Sequence, residues 1–311
     1  MISILTYNPK FLSKEKIKFW IKKILNKPRG PEVVLNNLVI GLKRNNFDFQ
    51  VNKITPETKT IHAISSVDAL KWAIKQKEKG KINELIAGPN IVRHPPDDDS
   101  ILVNKNIDKI LVPSKWMAKY FSALEPKIKD KLYIWPAGTE CDIKISSSKK
   151  ERCILYKKNV GEKLFENIKK YLEENKISYN IIEYGKYKAE DYLKMLDETK
   201  FLIYLQTSES QGIALQEAWA HNVPTFVWNS IISSPLTGST IYEKVAAPYL
   251  TDESGDLFKD FEDFKNKLPK FIENLKKFKP AEYCKNNLSI EKSAEIYVNI
   301  IENRQKPWKK L

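Results

Sequence analysis

Glycine is scarce in this chain, 10 in 311 residues, and no two glycines are separated by a single residue. There is therefore no G-x-G-x-x-G turn and no Walker-type loop, which excludes the usual nicotinamide enzymes and P-loop NTPases. Any phosphate must be held another way. Cysteine is equally sparse: Cys141, Cys153 and Cys284 show no paired spacing, which argues for a reducing compartment and against structural zinc. Arginine is nearly absent among the 53 basic residues: only Arg29, Arg44, Arg93, Arg152 and Arg304. Readers of bases and phosphates favour the arginine fork, so the net charge of +14 reads as diffuse lysine on solvated faces, and no nucleic-acid partner is expected. Such a surface favours anionic substrates or an anionic membrane leaflet. No apolar run approaches the ~20 residues of a membrane span. The start, Met1 to Tyr7, reads as a strand without the basic region and apolar core of a signal peptide. The expectation is a cytoplasmic protein, with peripheral contact at the inner membrane face allowed.

What is present is enough apolar material, 42% of residues, to build real cores and exclude a wholly disordered chain. Short β-branched runs alternate with longer helical patterns. Strands are expected at 2–7, 61–65, 84–87 and 109–112, with helices over 14–26, 31–45, 67–79 and 114–123, the last opened by the cap signal Pro113-Ser114. A second series follows: strands at 153–156, within 177–184, at 201–205 and 224–228, with helices over 161–175, 188–198 and 212–221. Such alternation points to parallel βαβ units. The polar stretch 139–151, with Ser146-Ser-Ser-Lys-Lys150, separates the series and counts against a single eight-fold α/β barrel. The expected organisation is two doubly wound Rossmann-like domains, 1–140 and 141–285. A C-terminal helix near Ile290–Ile301 and a tail, 286–311, would pack back on the first.

The segment 207–228 carries the chemistry. Glu209 lies in a loop after the strand 201–205, Gly212 opens a helix, and Glu217 sits on that helix. A glycine loop running into a helix N-terminus offers free backbone N–H groups and a positive dipole end, an anion site suited to a diphosphate. Carboxylates, with several lone pairs each, are good acceptors for sugar and ribose hydroxyls.

Read as Glu209-Ser-Gln-Gly212-Ile-Ala-Leu-Gln-Glu217-Ala-Trp-Ala-His-Asn-Val-Pro224, this segment resembles the Glu-x7-Glu signature of retaining GT-B glycosyltransferases of the family 4 type. Ser210 replaces the first glycine of that pattern, Gln211 its aromatic residue and Asn222 its later glycine. Arg29-Gly30-Pro31 is similar to the family's N-terminal glycine loop. Ile110–Ser114, Ile134–Gly138 and Ile154–Lys158 resemble further elements of it. The resemblance implies an α/β GT-B-like fold, two Rossmann-like domains facing a cleft, and transfer of a sugar from a nucleotide-diphosphate sugar to a glycan, lipid-linked or other hydroxyl acceptor. It implies that Glu217 holds the ribose and Glu209 the donor sugar. Backbone N–H groups around Gln211, Gly212 and Ile213 would contact sugar or diphosphate, and Lys157 or Lys158, with Lys163 as a third candidate, the leaving diphosphate. Gly30 would lie near the cleft, and Asn90 or His94, beyond the strand 84–87, would face the reacting sugar. No cofactor or metal is called for.

Other readings stay open. Asp97-Asp98-Asp99 resembles the Asp-x-Asp metal motif of GT-A transferases, although after Pro95-Pro96 it reads as an exposed turn. A nucleotide-sugar-binding protein without transfer activity and a nucleic-acid-binding protein are the remaining alternatives. His62 reads as a satisfied core or edge residue and His221 as a partner for a helix end.

Overall fold

The computed structural model describes residues 1–9, 30–144, 151–229, 232–233, 241–242 and 244–308. The expected helix over 14–26, Arg29, and the serine-lysine run 146–150 lie outside the described residues. The chain divides into two compact units, Met1–Gly138 with Ile290–Leu311, and Thr139–Ser289.

The first unit is built on a parallel six-stranded sheet, β1 (Ile2–Leu5), β2 (Phe49–Val51), β3 (Thr60–Ala63), β4 (Glu84–Ala87), β5 (Lys109–Val112) and β6 (Leu132–Ile134), in the order 2-1-3-4-5-6. β1 is buried along its whole length, as a parallel strand covered on both faces requires. Its helices are α1 (Gly30–Arg44), α2 (Val67–Glu78) and α3 (Lys115–Leu124). α1 places Glu32 in its first turn and Lys43 and Arg44 in its last, matching the helix dipole. Ser66 caps α2 by accepting from the Ala69 N–H. The expected cap Ser114 stands at the start of α3 in extended conformation, but its hydroxyl makes no cap bond and is buried without a partner.

The second unit carries a parallel five-stranded sheet, β7 (Arg152–Lys157), β8 (Tyr179–Glu183), β9 (Thr199–Leu205), β10 (Thr225–Trp228) and β13 (Gly255–Phe258), in the order 13-10-9-7-8. A two-residue antiparallel pair, β11 (Ile232–Ser233) and β12 (Ile241–Tyr242), stands apart from it. The helices are α4 (Glu162–Glu174), α5 (Ala189–Asp197), α6 (Ile213–Ala220), α7 (Phe261–Glu273) and α8 (Pro280–Leu288). Strand alternation sorts the core into two layers. Cys153, Leu155, Phe201, Ile203 and Leu205 pack with Phe165 of α4 and Phe264 of α7. Ile154, Tyr156, Leu202 and Tyr204 pack with Leu196 of α5, Trp219 of α6 and Cys284 of α8.

The last helix, α9 (Ile290–Ile301), lies against α1 in the first unit. Gly41 permits that crossing: a Cβ there would lie 2.6 Å from the Ile290 carbonyl oxygen and 2.8 Å from the Ala294 Cβ. Past Trp228 the structure adds β13, α7 and α8 to the second unit. β2 and β6, three residues each, are too short for a period to show. The first strand stops at Leu5 rather than Tyr7. Among the described residues, no helix is long and apolar enough to cross a membrane.

Candidate functional site

In the second unit the chain enters at β7, adds β8 on one side, then crosses to place β9 on the other. The connection after β7 leads to α4 on one face of the sheet, and that after β9 leads to α6 on the opposite face. The carboxyl ends of β7 and β9 therefore form a topological switch point, the place where doubly wound sheets open a crevice for ligands. Lys157 ends one strand and Lys158 follows it directly, and the loop Gln206–Gly212 leaves the other.

The same alternation separates the two lysines. Lys157 points with Cys153 and Leu155 to the α4 layer. Its ammonium meets Glu162 at 2.7 Å and lies 4.2 Å from the Phe165 ring centroid. Lys158 points with Tyr156 to the other layer and donates to Glu209 Oε1 at 2.6 Å. Its ammonium also lies 4.2 Å from the Tyr184 ring centroid. Lys163 is exposed in the first turn of α4. Of the three candidate cations, only Lys158 is bonded to a motif carboxylate.

Described residues hold Glu209 through both its backbone and its carboxylate. Its backbone N–H donates to the Val245 carbonyl at 2.7 Å. Its Oε1 accepts from Lys158 and also from the Tyr204 hydroxyl at 2.5 Å. Tyr204, fully buried on β9, stacks on Tyr156 of β7 with centroids 4.8 Å apart. The Tyr156 hydroxyl meets that of Tyr187 at 2.6 Å, and Tyr192 donates to the Ala214 carbonyl in the first turn of α6 at 2.7 Å. Burial holds all four of these phenols above the ordinary tyrosine range, so they remain neutral donors. The four tyrosines form a floor between the motif's two glutamates. Sequence reasoning missed them. Their signal was weak: Tyr156 and Tyr204 stand as single tyrosines in the short apolar runs Cys153–Tyr156 and Phe201–Leu205.

Gly212 takes φ +83°, the left-handed conformation that favours glycine, as the chain enters α6. The N–H groups of Leu215 and Gln216 turn back to the Gly212 carbonyl. The N–H groups of Ile213 and Ala214 find no acceptor among the described residues, as is usual for a helix start. Gln211 turns inward, donating to the Gln216 side chain at 3.3 Å. Glu217, one turn into α6, keeps part of its surface open to solvent, yet protein atoms crowd its carboxyl so closely that desolvation lifts its pKa from 4.5 to about 7. Among the described residues no cation or donor holds it. Its charge is felt by Tyr187 and Tyr192. A half-desolvated carboxylate without a partner, beside a helix start with open N–H groups and a lysine nearby, can accept from a diol and hold an anion.

The first unit holds the other candidates. Asn90 follows β4, exposed, with φ +64°. His94 is half-buried, its Nδ1 2.9 Å from the Tyr120 hydroxyl. Gly30 is the exposed first residue of α1. The aspartate triplet is a short turn in which Asp98 and Asp99 have positive φ, and the Asp97 carboxylate accepts from the His94 N–H at 2.8 Å. Among the described residues no group of three or more His, Cys, Asp or Glu could hold a metal. His62 is a core residue, bonded to the Gly88 carbonyl and, at 2.8 Å, to the Tyr297 hydroxyl, and desolvation lowers its pKa to about 4. His221, at the C-terminus of α6, meets Asp197 at 2.8 Å.

No family model and no curated protein matches the chain. Solved structures do. The chain is similar to the lipopolysaccharide outer core galactosyltransferase WaaB in its apo form, at 13% identity over 98% of this chain and 99% of that one, with TM-score 0.58. It is similar to sucrose-phosphate synthase from Thermosynechococcus elongatus, at 10% identity over 97% and 98%, with TM-score 0.59. It also matches a mutant of S. aureus TarM in complex with Fondaparinux, alpha-GlcNAc-glycerol and UDP, at 13% identity and TM-score 0.53, over 78% of this chain. The chain spans about 55% of that TarM chain. At these identities the likeness shows the fold: an α/β fold of the GT-B type, with two parallel sheets and surrounding helices.

Proposed function

We propose that this protein is a retaining glycosyltransferase of the family 4 type that moves a sugar from a nucleotide-diphosphate sugar to a hydroxyl of a glycan or lipid-linked acceptor. The observation that carries the reading is the switch-point arrangement. Glu209 is held by Lys158 and Tyr204, Gly212 starts a helix whose first N–H groups are open among the described residues, and Glu217 lies one turn on with no partner among them. Glu217 accepts from the ribose diol and Glu209 from hydroxyls of the donor sugar. The N–H groups from Gln211 to Ile213 face diphosphate or sugar. As the bond from the anomeric carbon to the diphosphate oxygen breaks, negative charge grows on the leaving group. Lys158 is placed to meet it, and such pre-set charge is usually the largest catalytic contribution. Lys157, turned to Glu162, has a lesser part. The second unit is the donor domain. The acceptor side is assigned to the first unit, with Asn90, His94 and Gly30 as its candidates. WaaB is named a galactosyltransferase and the TarM structure holds UDP; both accord with this reading. The lysine-rich composition suits an anionic acceptor or peripheral contact with an anionic membrane.

The test is a thermal-shift screen against UDP, GDP, TDP, ADP and their sugars, with and without a divalent metal, since a ligand of the folded state raises the melting temperature. A shift with one nucleotide family, independent of metal and lost in Glu217→Ala, is expected. The anomeric configuration of the product, read by NMR, then decides retention. Stabilisation by none of the panel would overturn the reading. A donor that binds but is never transferred to any hydroxyl acceptor would reduce it to a binding protein.

A further inference from the structure

We infer that Tyr204 is a positioning residue that fixes the carboxylate of Glu209 from beneath, an inference that rests on the donor-site reading above. Glu209 comes from a loop, and loop side chains hold a catalytic geometry only when something rigid supports them. Among the described residues two donors reach its Oε1, and they differ in kind. Lys158 is a long, flexible cation that the bound diphosphate would also attract. Tyr204 is a fully buried ring on β9, stacked on Tyr156 at 4.8 Å and 29°, and β7–β9 pairing sets those two residues opposite each other. Burial and the stack hold the ring in place, and its hydroxyl meets Glu209 at 2.5 Å. When diphosphate draws on the charge of Lys158, the phenol still holds the carboxylate. Because the phenol is neutral, it adds no charge that would compete with the lysine for the leaving group.

The variant Tyr204→Phe removes one oxygen and keeps the ring stack. Affinity for the free nucleoside diphosphate is expected to stay within about twofold. The extra affinity and the turnover that the sugar moiety brings are expected to fall about tenfold or more, as loss of a hydrogen bond to a charged group implies. Tyr179→Phe, which loses a tyrosine–glutamate bond to Glu173 away from the site, is expected to leave both near wild type. Sugar-dependent turnover within twofold of wild type in Tyr204→Phe overturns the inference while the donor-site reading stands. A wild-type protein that binds none of the panel sinks that reading instead. A crystal structure of Tyr204→Phe then decides the positioning claim alone: a displaced Glu209 carboxylate supports it, and an unmoved one refutes it.

A second observation stands independently of any activity. The geometry points to Cys141 and Cys284 as a pair that closes under oxidation. Their sulfurs lie 3.4 Å apart, Cys141 half-buried and Cys284 fully buried on α8. Cys284 also donates to the Gln216 carbonyl at 3.5 Å, in the residue before Glu217. The chain around Cys141 is held beside α8, since the Thr139 N–H donates to the Leu288 carbonyl. With a small-molecule disulfide such as oxidised glutathione, the accessible Cys141 thiolate attacks one sulfur and releases a thiolate. Cys284 then loses its proton, attacks the Cys141 sulfur and expels the second. The two cysteines give up two electrons, and the oxidant becomes two thiols. The bond of Cys284 to Cys141 and its burial hold the thiol of Cys284 well above its ordinary pKa, so closure is slow. After incubation with oxidised glutathione, peptide mapping should find a Cys141–Cys284 cross-link and a Tm rise of roughly 5–10 °C, both absent in Cys141→Ser. A stable glutathione adduct on Cys141, or three free thiols, overturns the pairing.

Discussion

Substituting Glu217 by glutamine should stabilise the protein and disable its donor site, and pH separates the two effects. The carboxyl has a folded-state pKa raised from 4.5 to about 7 by desolvation alone. A raised carboxylate pKa means that the folded state prefers the proton. The contribution is zero below about pH 4.5, where both states are protonated. It grows more destabilising as pH rises from about 4.5 to about 7, where only the unfolded state has lost its proton, and is constant above that. At 1.36 kcal/mol per unit, the full penalty is about 3 kcal/mol, an upper figure because the side chain keeps some access to water. Glutamine carries no such charge. For a unit of this size about 3 kcal/mol corresponds to roughly 5–10 °C in melting temperature. Glu217→Gln is therefore expected to melt several degrees above wild type at pH 8 and within about 2 °C of it at pH 4.5, by differential scanning calorimetry. The same variant should lose the stabilisation by nucleotide that wild type shows. Equal melting differences at both pH values would refute the desolvation account. A variant stabilised at pH 8 that still binds nucleotide as wild type does would show that the carboxylate is desolvated for some other reason.

Lys158→Met should weaken nucleoside diphosphate binding at least tenfold, by loss of a charge-assisted contact, while Lys157→Met stays within about threefold; isothermal titration would read both, and equal losses would contradict the sorting of the two lysines. His62 has a folded pKa lowered to about 4, so stability is full above pH 6.5 and falls as pH drops from there to 4. The loss should be about 2 kcal/mol by pH 5, and thermal melts of His62→Gln should show a smaller decline between pH 7 and 5 than wild type. Gly41→Ala should cost about 1–3 kcal/mol through overpacking at the α1–α9 crossing, outweighing the gain in helix propensity of about 1 kcal/mol; a denaturant midpoint equal to wild type would refute that contact.

The alternation of short β-branched runs with amphipathic stretches placed most of the central strands and helices within two residues. In parallel sheets both periods arise from burial, and burial is written in local composition. β4 and β5 and the helix α9 lie where the pattern puts them. The edge strands β2 and β6 escaped because three residues hold no readable period. α7 does carry an apolar repeat, Phe261, Phe264, Leu268 and Phe271, so its signal was present and unread. At the site, the spacing of Glu209, Gly212 and Glu217 was legible because loop, left-handed glycine and helix are local events along one stretch of chain. The choice between Lys157 and Lys158 was not, for it depends on which face of β7 each side chain takes and on what the neighbouring strand presents there. The same holds for Tyr204, 48 residues past Tyr156 in the chain and opposite it in the sheet. The sequence alone determined the class of fold and the motif, since both rest on neighbours within a turn or a strand. Only the tertiary structure decided which cation meets Glu209, which phenol holds it, and why Glu217 is desolvated, because those depend on residues that parallel pairing brings together from distant parts of the chain.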